Sequence, residues 1–178
     1  MTLRQIVTLP EAVLRRKAKP ITKFDKELQT LIDDMIETMR DAPGVGLAAP
    51  QVGVSERLAV IEYAEDEDDE DETEDAESLA RPKQLFVIIN PEIVKASEEK
   101  VNGIEGCLSI PGLLGEVERY EALQVKALNR YGKPVKLKVD GWMARIFQHE
   151  IDHLNGVLFT DLATRVWKPT AEEEIPLD

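Results

Sequence analysis

Leu28, Leu31, Ile32, Met35, Ile36 and Met39 recur at spacings of three and four, the period at which a helix presents one face. They predict an amphipathic helix over residues 25–40, with Asp25 as its N-cap and Pro43-Gly44 as its stop. Downstream the period shortens. Leu58, Val60 and Ile61 within residues 57–63 read as a strand, as does the apolar run 84–89, which Pro91 should end. Two more strands are predicted at 122–128 and 134–139. In the second, Val135, Leu137 and Val139 alternate with lysines, as in a strand with one buried face. Asp140-Gly141 breaks that run, residues 142–154 return to a helical pattern, and Asn155-Gly156 supplies a stop. Trp142, Met143, Ile146, Phe147, Ile151 and Leu154 cover most of this helix's circumference, so it should be buried in the middle of the domain. Glu150 inside it would be expensive to bury without a cation or proton partner. The elements imply an α+β fold: antiparallel β-sheets packed around a central helix, with an amphipathic helix near the N-terminus.

A chain of 178 residues can bury a substantial core, and one domain over residues 1–178 is expected. The net charge of −13 suggests an acidic protein, but its distribution changes that picture. Residues 65–77 hold eleven acidic and no basic side chains; outside them 24 acidic residues face 22 basic ones. A block of like charges repels itself and buries no core, so 65–77 is expected to be a disordered loop. It falls between two strands, where added length costs little closure entropy. The polar tail 170–178 is expected to be mobile. Acidic charge disfavours direct nucleic-acid binding. No apolar run approaches a membrane span, no signal-peptide pattern opens the chain, and one cysteine makes no internal disulfide. These features point to the cytoplasm.

The two histidines both lie in His149-Glu150-Ile151-Asp152-His153. Four apart on a helix, they project from one face and can grip one metal ion, with Glu150 beside them to handle a proton. Two imidazoles leave a catalytic metal one protein ligand short. Asp161 lies too near in sequence to swing back easily, and Glu172 to Glu174 sit in the weak tail. The sole cysteine, Cys107, remains. On its own it reads more readily as an inert core residue, but its thiolate is a strong ligand and Gly106 allows close backbone approach.

Three segments carry a family resemblance: Gly44-Val45-Gly46-Leu47-Ala48-Ala49-Pro50-Gln51, Glu105-Gly106-Cys107-Leu108-Ser109, and Gln148-His149-Glu150-Ile151-Asp152-His153. In this order and spacing the chain resembles peptide deformylase, from about residue 6 to residue 161. The resemblance implies hydrolysis of the formyl group from the initiator methionine of new polypeptides. It implies a divalent metal on Cys107, His149 and His153, most often Fe2+, with Zn2+, Ni2+ or Co2+ able to use the same ligands. Glu150 is implied as the proton acceptor, with Gln51 and the backbone N–H of Leu108 stabilising the oxyanion. Gly46 is implied as a backbone partner for an extended peptide, and Val45 and Ile146 as candidate walls of the methionine pocket. Arg119 and Asp152 are expected to pair.

The chain also departs from the family pattern. The acidic tract is additional, and Ile104 stands where many relatives carry a second glutamate before the Glu-Gly-Cys run. The segment after Trp167-Lys168-Pro169 is short and acidic, so any transient ribosome contact is not expected through a basic C-terminal helix. Formyl-methionyl nascent peptides are the implied partners; neither nucleic acid nor a membrane is. A zinc metallopeptidase or amidase with the same HExxH logic is the alternative enzyme, against which Gln51 and the Glu-Gly-Cys-Leu-Ser run argue. A catalytically silent relative that binds nascent chains or other partners through its acidic loop would be told apart by the loss of catalytic residues, and all of them are present.

Overall fold

A computed structural model describes residues 2–64 and 83–170; the expectations for the acidic tract 65–77 and for the tail beyond Thr170 fall outside the described residues. The described residues form an α+β fold with two antiparallel sheets. Strands β1 (Gly46–Ala48), β2 (Leu58–Tyr63), β3 (Gln84–Ala96), β6 (Ala122–Leu128) and β7 (Pro134–Asp140) make a five-stranded sheet in the order β1-β2-β3-β6-β7. Strands β4 (Lys100–Cys107), β5 (Ile110–Tyr120) and β8 (Arg165–Trp167) make the second. Strands β2 and β3, which flank the acidic tract, pair antiparallel from Leu58↔Ile89 to Tyr63↔Gln84.

Helix α1 (Lys26–Asp41) begins at Asp25, whose side chain accepts the Leu28 N–H at 3.0 Å. Its apolar stripe (Leu28, Leu31, Ile32, Met35, Ile36, Met39) packs with Leu47, Leu58, Val60 and Ile89. The alternate positions Ala48, Ala59, Ile61 and Ile88 face the other way, onto Met143, Ala144, Ile146, Phe147, Ile151 and Leu154 of helix α2 (Gly141–Leu154). The five-stranded sheet therefore lies between two helices, and its period-2 alternation decides which residue meets which helix. The remaining side of α2 turns to the smaller sheet through polar groups: Gln148 donates to the Tyr120 carbonyl and accepts the Tyr120 N–H. Trp142, expected in the buried wrap, is 38% exposed and lies against the Arg145 guanidinium instead. At the second position of the helix it lies at the surface end.

One strand expectation needs correction, and two strands were not anticipated. Pro91 does not end its strand, because β3 continues to Ala96. The ladder shifts register between Ile89 and Glu92, so the missing N–H of Pro91 falls in an irregularity rather than a regular ladder. Asn90 takes a positive φ of 50° there, and its side-chain amide bonds both the N–H and the carbonyl of Ile21. Strands β4 and β5 were not legible from alternation, since glycine and charged residues occupy inward positions: Gly103, Glu105, Gly115 and Arg119.

The N-terminal segment crosses the front of the molecule. Asp34 of α1, buried to 4% exposure, accepts the Thr2 N–H at 2.8 Å and Arg4 Nε at 3.0 Å. Further on, Val7 N–H donates to the Gln51 carbonyl and Leu9 N–H to the Ser109 carbonyl, so residues 7–9 bridge two chain segments 58 positions apart. The Thr2 N–H bond lowers the Asp34 carboxyl below its ordinary value near 3.8; burial opposes this and Arg4 assists it. A carboxyl with a depressed folded value stabilises fully above the unfolded value and loses that contribution as pH falls through the folded one. Urea melts of wild type and Asp34→Asn should differ by a constant amount at neutral pH, and the gap should close below about pH 4. A gap independent of pH would exclude an ionised Asp34 from that role.

Candidate metal centre

The centre is assembled from one strand end and one helix face. Strand β4 delivers Glu105 and Cys107, two positions apart, while α2 delivers His149 and His153, one turn apart. All are buried. One ligand atom from each of Cys107, His149 and His153 lies within 4.8 Å of the others. Cys107 Sγ is 3.4 Å from His153 Nε2, which is 3.2 Å from His149 Nε2. Bonds of about 2.0–2.1 Å to nitrogen and about 2.3 Å to sulfur at tetrahedral angles require edges of about 3.4 Å and about 3.6 Å. A thiolate and two imidazoles at this spacing fit one first-row divalent ion.

The far nitrogen of His149 explains its orientation. His149 Nδ1 lies 2.9 Å from Glu105 Oε1, so an Nδ1–H donated to that carboxylate leaves the Nε2 lone pair directed at the ligand cluster. Glu105 receives three further bonds. Arg119 binds it as a fork, Nη2 to Oε1 at 2.8 Å and Nε to Oε2 at 2.9 Å. Arg145 Nη1 reaches Oε2 at 2.6 Å. An ionised carboxylate has about four lone-pair sites, and here all four are used. Burial raises the Glu105 carboxyl, but hydrogen bonds and charge from Arg119 and His149 outweigh it and hold the group well below the usual carboxylate range. Burial likewise works against charge on Arg119, yet bonds and charge from Glu105 and then Asp152 raise its value above the ordinary one. The Arg119–Asp152 pair that the family resemblance implied is formed.

Gln51 sits on the 3-10 turn Ala49–Val52 after β1 and is fully buried. Its side-chain Oε1 accepts the Ala48 N–H at 3.0 Å, which fixes the amide so that Nε2 points to Ser109 Oγ at 3.2 Å and Cys107 Sγ at 3.6 Å. Leu108 follows Cys107 at the half-buried turn between β4 and β5. Glu150 is fully buried beside Gly46: a Cβ on Gly46 would lie 2.6 Å from Glu150 Oε1 and 3.0 Å from its Cδ. Ile146 lies inside the core between α2 and the large sheet, and Val45 is half-buried against the same cluster.

Three contributors had no role in the sequence reading: Glu105, Arg145 and Ser109. Spacing carried a signal for two of them. Glu105 precedes Cys107 by two on a strand, and Arg145 precedes His149 by four on a helix, so each shares its neighbour's face.

The family model for polypeptide deformylase matches residues 3–168. A peptide deformylase of Symbiobacterium thermophilum is 53% identical over 97% of this chain and 72% of its own length. One from Halothermothrix orenii is 46% identical over 93% of this chain and 97% of its own. Among solved structures, the Thermotoga maritima peptide deformylase superposes with a TM-score of 0.79 at 41% identity, covering 93% of this chain and 100% of that one. The Legionella pneumophila enzyme gives 0.77 at 47%, covering 92% and 87%. With a three-residue ligand set, a buried carboxylate beside it and a family match over nearly its whole length, the chain belongs to the polypeptide deformylase family.

Proposed function

We propose that this protein is a metal-dependent peptide deformylase that hydrolyses the formyl group from the initiator methionine of nascent polypeptides and releases formate. The observation that carries the reading is the convergence of Cys107, His149 and His153 next to a buried Glu150. The family match favours this reaction over cleavage of an internal peptide bond.

Cys107, His149 and His153 would hold the ion, with α2 as the metal-binding helix; the family resemblance favours Fe2+, and the same donor set suits Zn2+, Ni2+ or Co2+. A divalent ion there supplies Lewis-acid chemistry and lowers the pKa of water to near neutrality. Glu150 would take the proton of the attacking water and return it to the departing amine. Its burial beside Gly46 keeps that carboxylate out of bulk solvent. Gln51 Nε2, already aimed past Cys107 Sγ, and the backbone N–H of Leu108 would donate to the formyl oxygen as charge develops on it.

Strand β1 is the terminal strand of its sheet, which supports an extended substrate pairing beside Gly46. Val45 and Ile146 would contribute the apolar wall against the methionine side chain; the depth of Ile146 fits a second layer behind that wall. Residues 1–178 would act as a single catalytic unit in the cytoplasm, with no more than a transient ribosome contact and binding neither nucleic acid nor lipid. No helix among the described residues is long and apolar enough to cross a membrane.

Protein loaded anaerobically with Fe2+ should release formate from formyl-Met peptides, and a chelator should abolish that release until metal is restored. Metal bound on the three ligands without formate release would overturn the assignment. Glu150→Gln should retain metal while kcat falls by a factor of about 100 or more, and retention of near-wild-type kcat would exclude Glu150 as the proton carrier. Gly46→Ala forces the Glu150 carboxylate aside, so it should lower kcat/KM at least about tenfold with metal content unchanged. Loss of metal with kcat preserved in the metal-reconstituted variant would place the effect elsewhere.

A further inference from the structure

We propose that Arg145 is a positioning residue for the metal centre, acting through Glu105 on His149, and that Gly103 lacks a side chain because the Arg145 guanidinium lies there. The inference rests on the assignment of Cys107 and His149 as metal ligands made above.

Arg145 is 5% exposed, and its guanidinium reaches three acceptors on two strands. Nη1 donates to Glu105 Oε2 at 2.6 Å and to the Val117 carbonyl of β5 at 2.9 Å, while Nη2 donates to the Val101 carbonyl of β4 at 2.6 Å. The residue itself belongs to α2, one turn before His149. It thus joins the helix that carries two ligands to the strand that ends in the third. A planar guanidinium has a fixed fork of donors, so satisfying three acceptors sets a distance and an angle between α2 and β4.

The second consequence concerns the carboxylate. Arg119 alone already grips both oxygens of Glu105, yet that fork is anchored on β5 and, through Asp152, on the far turn of α2. Arg145 holds Oε2 from the near turn. With Oε2 pinned from both sides, Oε1 is left in one place to receive His149 Nδ1, and the ring cannot rotate about χ2 without losing that bond. Two guanidiniums also balance the carboxylates of Glu105 and Asp152, so the buried group is neutral as a set.

Gly103 records the same demand on the strand. An ideal Cβ there would fall 2.7 Å from Arg145 Cζ, 2.8 Å from Nε and 2.9 Å from Nη2. All three atoms belong to a group fixed by hydrogen bonds, so it has little room to yield. The glycine's φ is unremarkable enough that backbone conformation does not demand it; close approach does.

The test compares Arg145→Met and Arg145→Lys with wild type and with Arg57→Met. Arg57 donates to the Leu154 carbonyl and to Asn155 at the end of α2, away from Glu105, and so reports loss of a helix anchor alone. Each protein is loaded with Co2+, its thiolate-to-metal absorption is recorded, and metal release into excess chelator is timed; urea melts give stability, and kcat and KM are measured after Fe2+ loading. Arg145→Met should release metal about 10- to 100-fold faster than wild type, with an altered Co2+ spectrum and a lower kcat at nearly unchanged KM. Arg145→Lys, a point charge without the fork, should fall between the two. Arg57→Met should lose stability while its release rate and spectrum stay at wild-type values. Wild-type release and spectrum in folded Arg145→Met would overturn the proposal. Should that variant not fold, Gly103→Ala takes its place: faster release supports the proposal and an unchanged rate overturns it. Absence of a thiolate band in Co2+-loaded wild type would instead overturn the ligand assignment, and this inference with it.

Discussion

The carboxylate of Glu105 is the fixed point around which the centre is built. It is 4% exposed, and an ion of that size stripped of water is costly unless every lone pair finds a donor. Four donors converge on it from two elements: two from Arg119 on β5, one from Arg145 and one from His149, both on α2. Because none of these can be withdrawn without leaving charge uncompensated, the smaller sheet and the helix share one relative position. Removing one partner of such a buried set typically costs about 3–5 kcal/mol, more than the worth of any exposed ion pair in the chain. The geometry of Cys107 relative to His149 follows from it.

This requirement divides helix α2 into two unlike faces. Ile146, Phe147, Ile151 and Leu154 meet the five-stranded sheet through ordinary apolar packing, with Phe147 edge-on to Phe86 at 5.4 Å. Arg145, Gln148, His149 and Asp152, at helical spacings of three and four, meet the smaller sheet through hydrogen bonds. Apolar packing is non-directional and tolerates small shifts. Hydrogen bonds to carbonyls and carboxylates do not, since they weaken steeply with angle. The fold thus takes its bulk stability from one side of the helix and the aim of its ligands from the other.

That division also decides how much could be read from the sequence. Helix α1 was legible because its stripe obeys one period and its N-cap is a strong local signal. The His149–His153 pair was legible because i, i+4 on a helix needs no tertiary knowledge. Strands β4 and β5 were not, because the positions that alternation would mark as buried are Gly103, Glu105 and Arg119, whose partners lie 14 to 44 residues away. Pro91 misled for a related reason: whether a proline ends a strand depends on whether the ladder is regular there, and the shift after Ile89 is set by pairing with β6. The expectation for Trp142 failed because counting apolar residues around a helix ignores its ends. Arg119–Asp152 was anticipated only through family resemblance; nothing local in either segment names the other.

Two glycines show the same limit from the opposite side, as places where a side chain is excluded. Gly46 gives its space to the carboxylate of Glu150, and Gly103 gives its space to the guanidinium of Arg145. Neither position has the positive φ that makes glycine a conformational necessity, so neither announces itself as a turn or a cap. Each lies on a strand, where glycine ordinarily weakens pairing and leaves nothing to pack. The loss is offset because a charged group belonging to helix α2 can then lie flat against backbone and stay out of water. One such group would handle the proton and the other braces a ligand. The helix reaches these two charges into the sheets on either side of it, and each sheet answers with a residue that has no side chain.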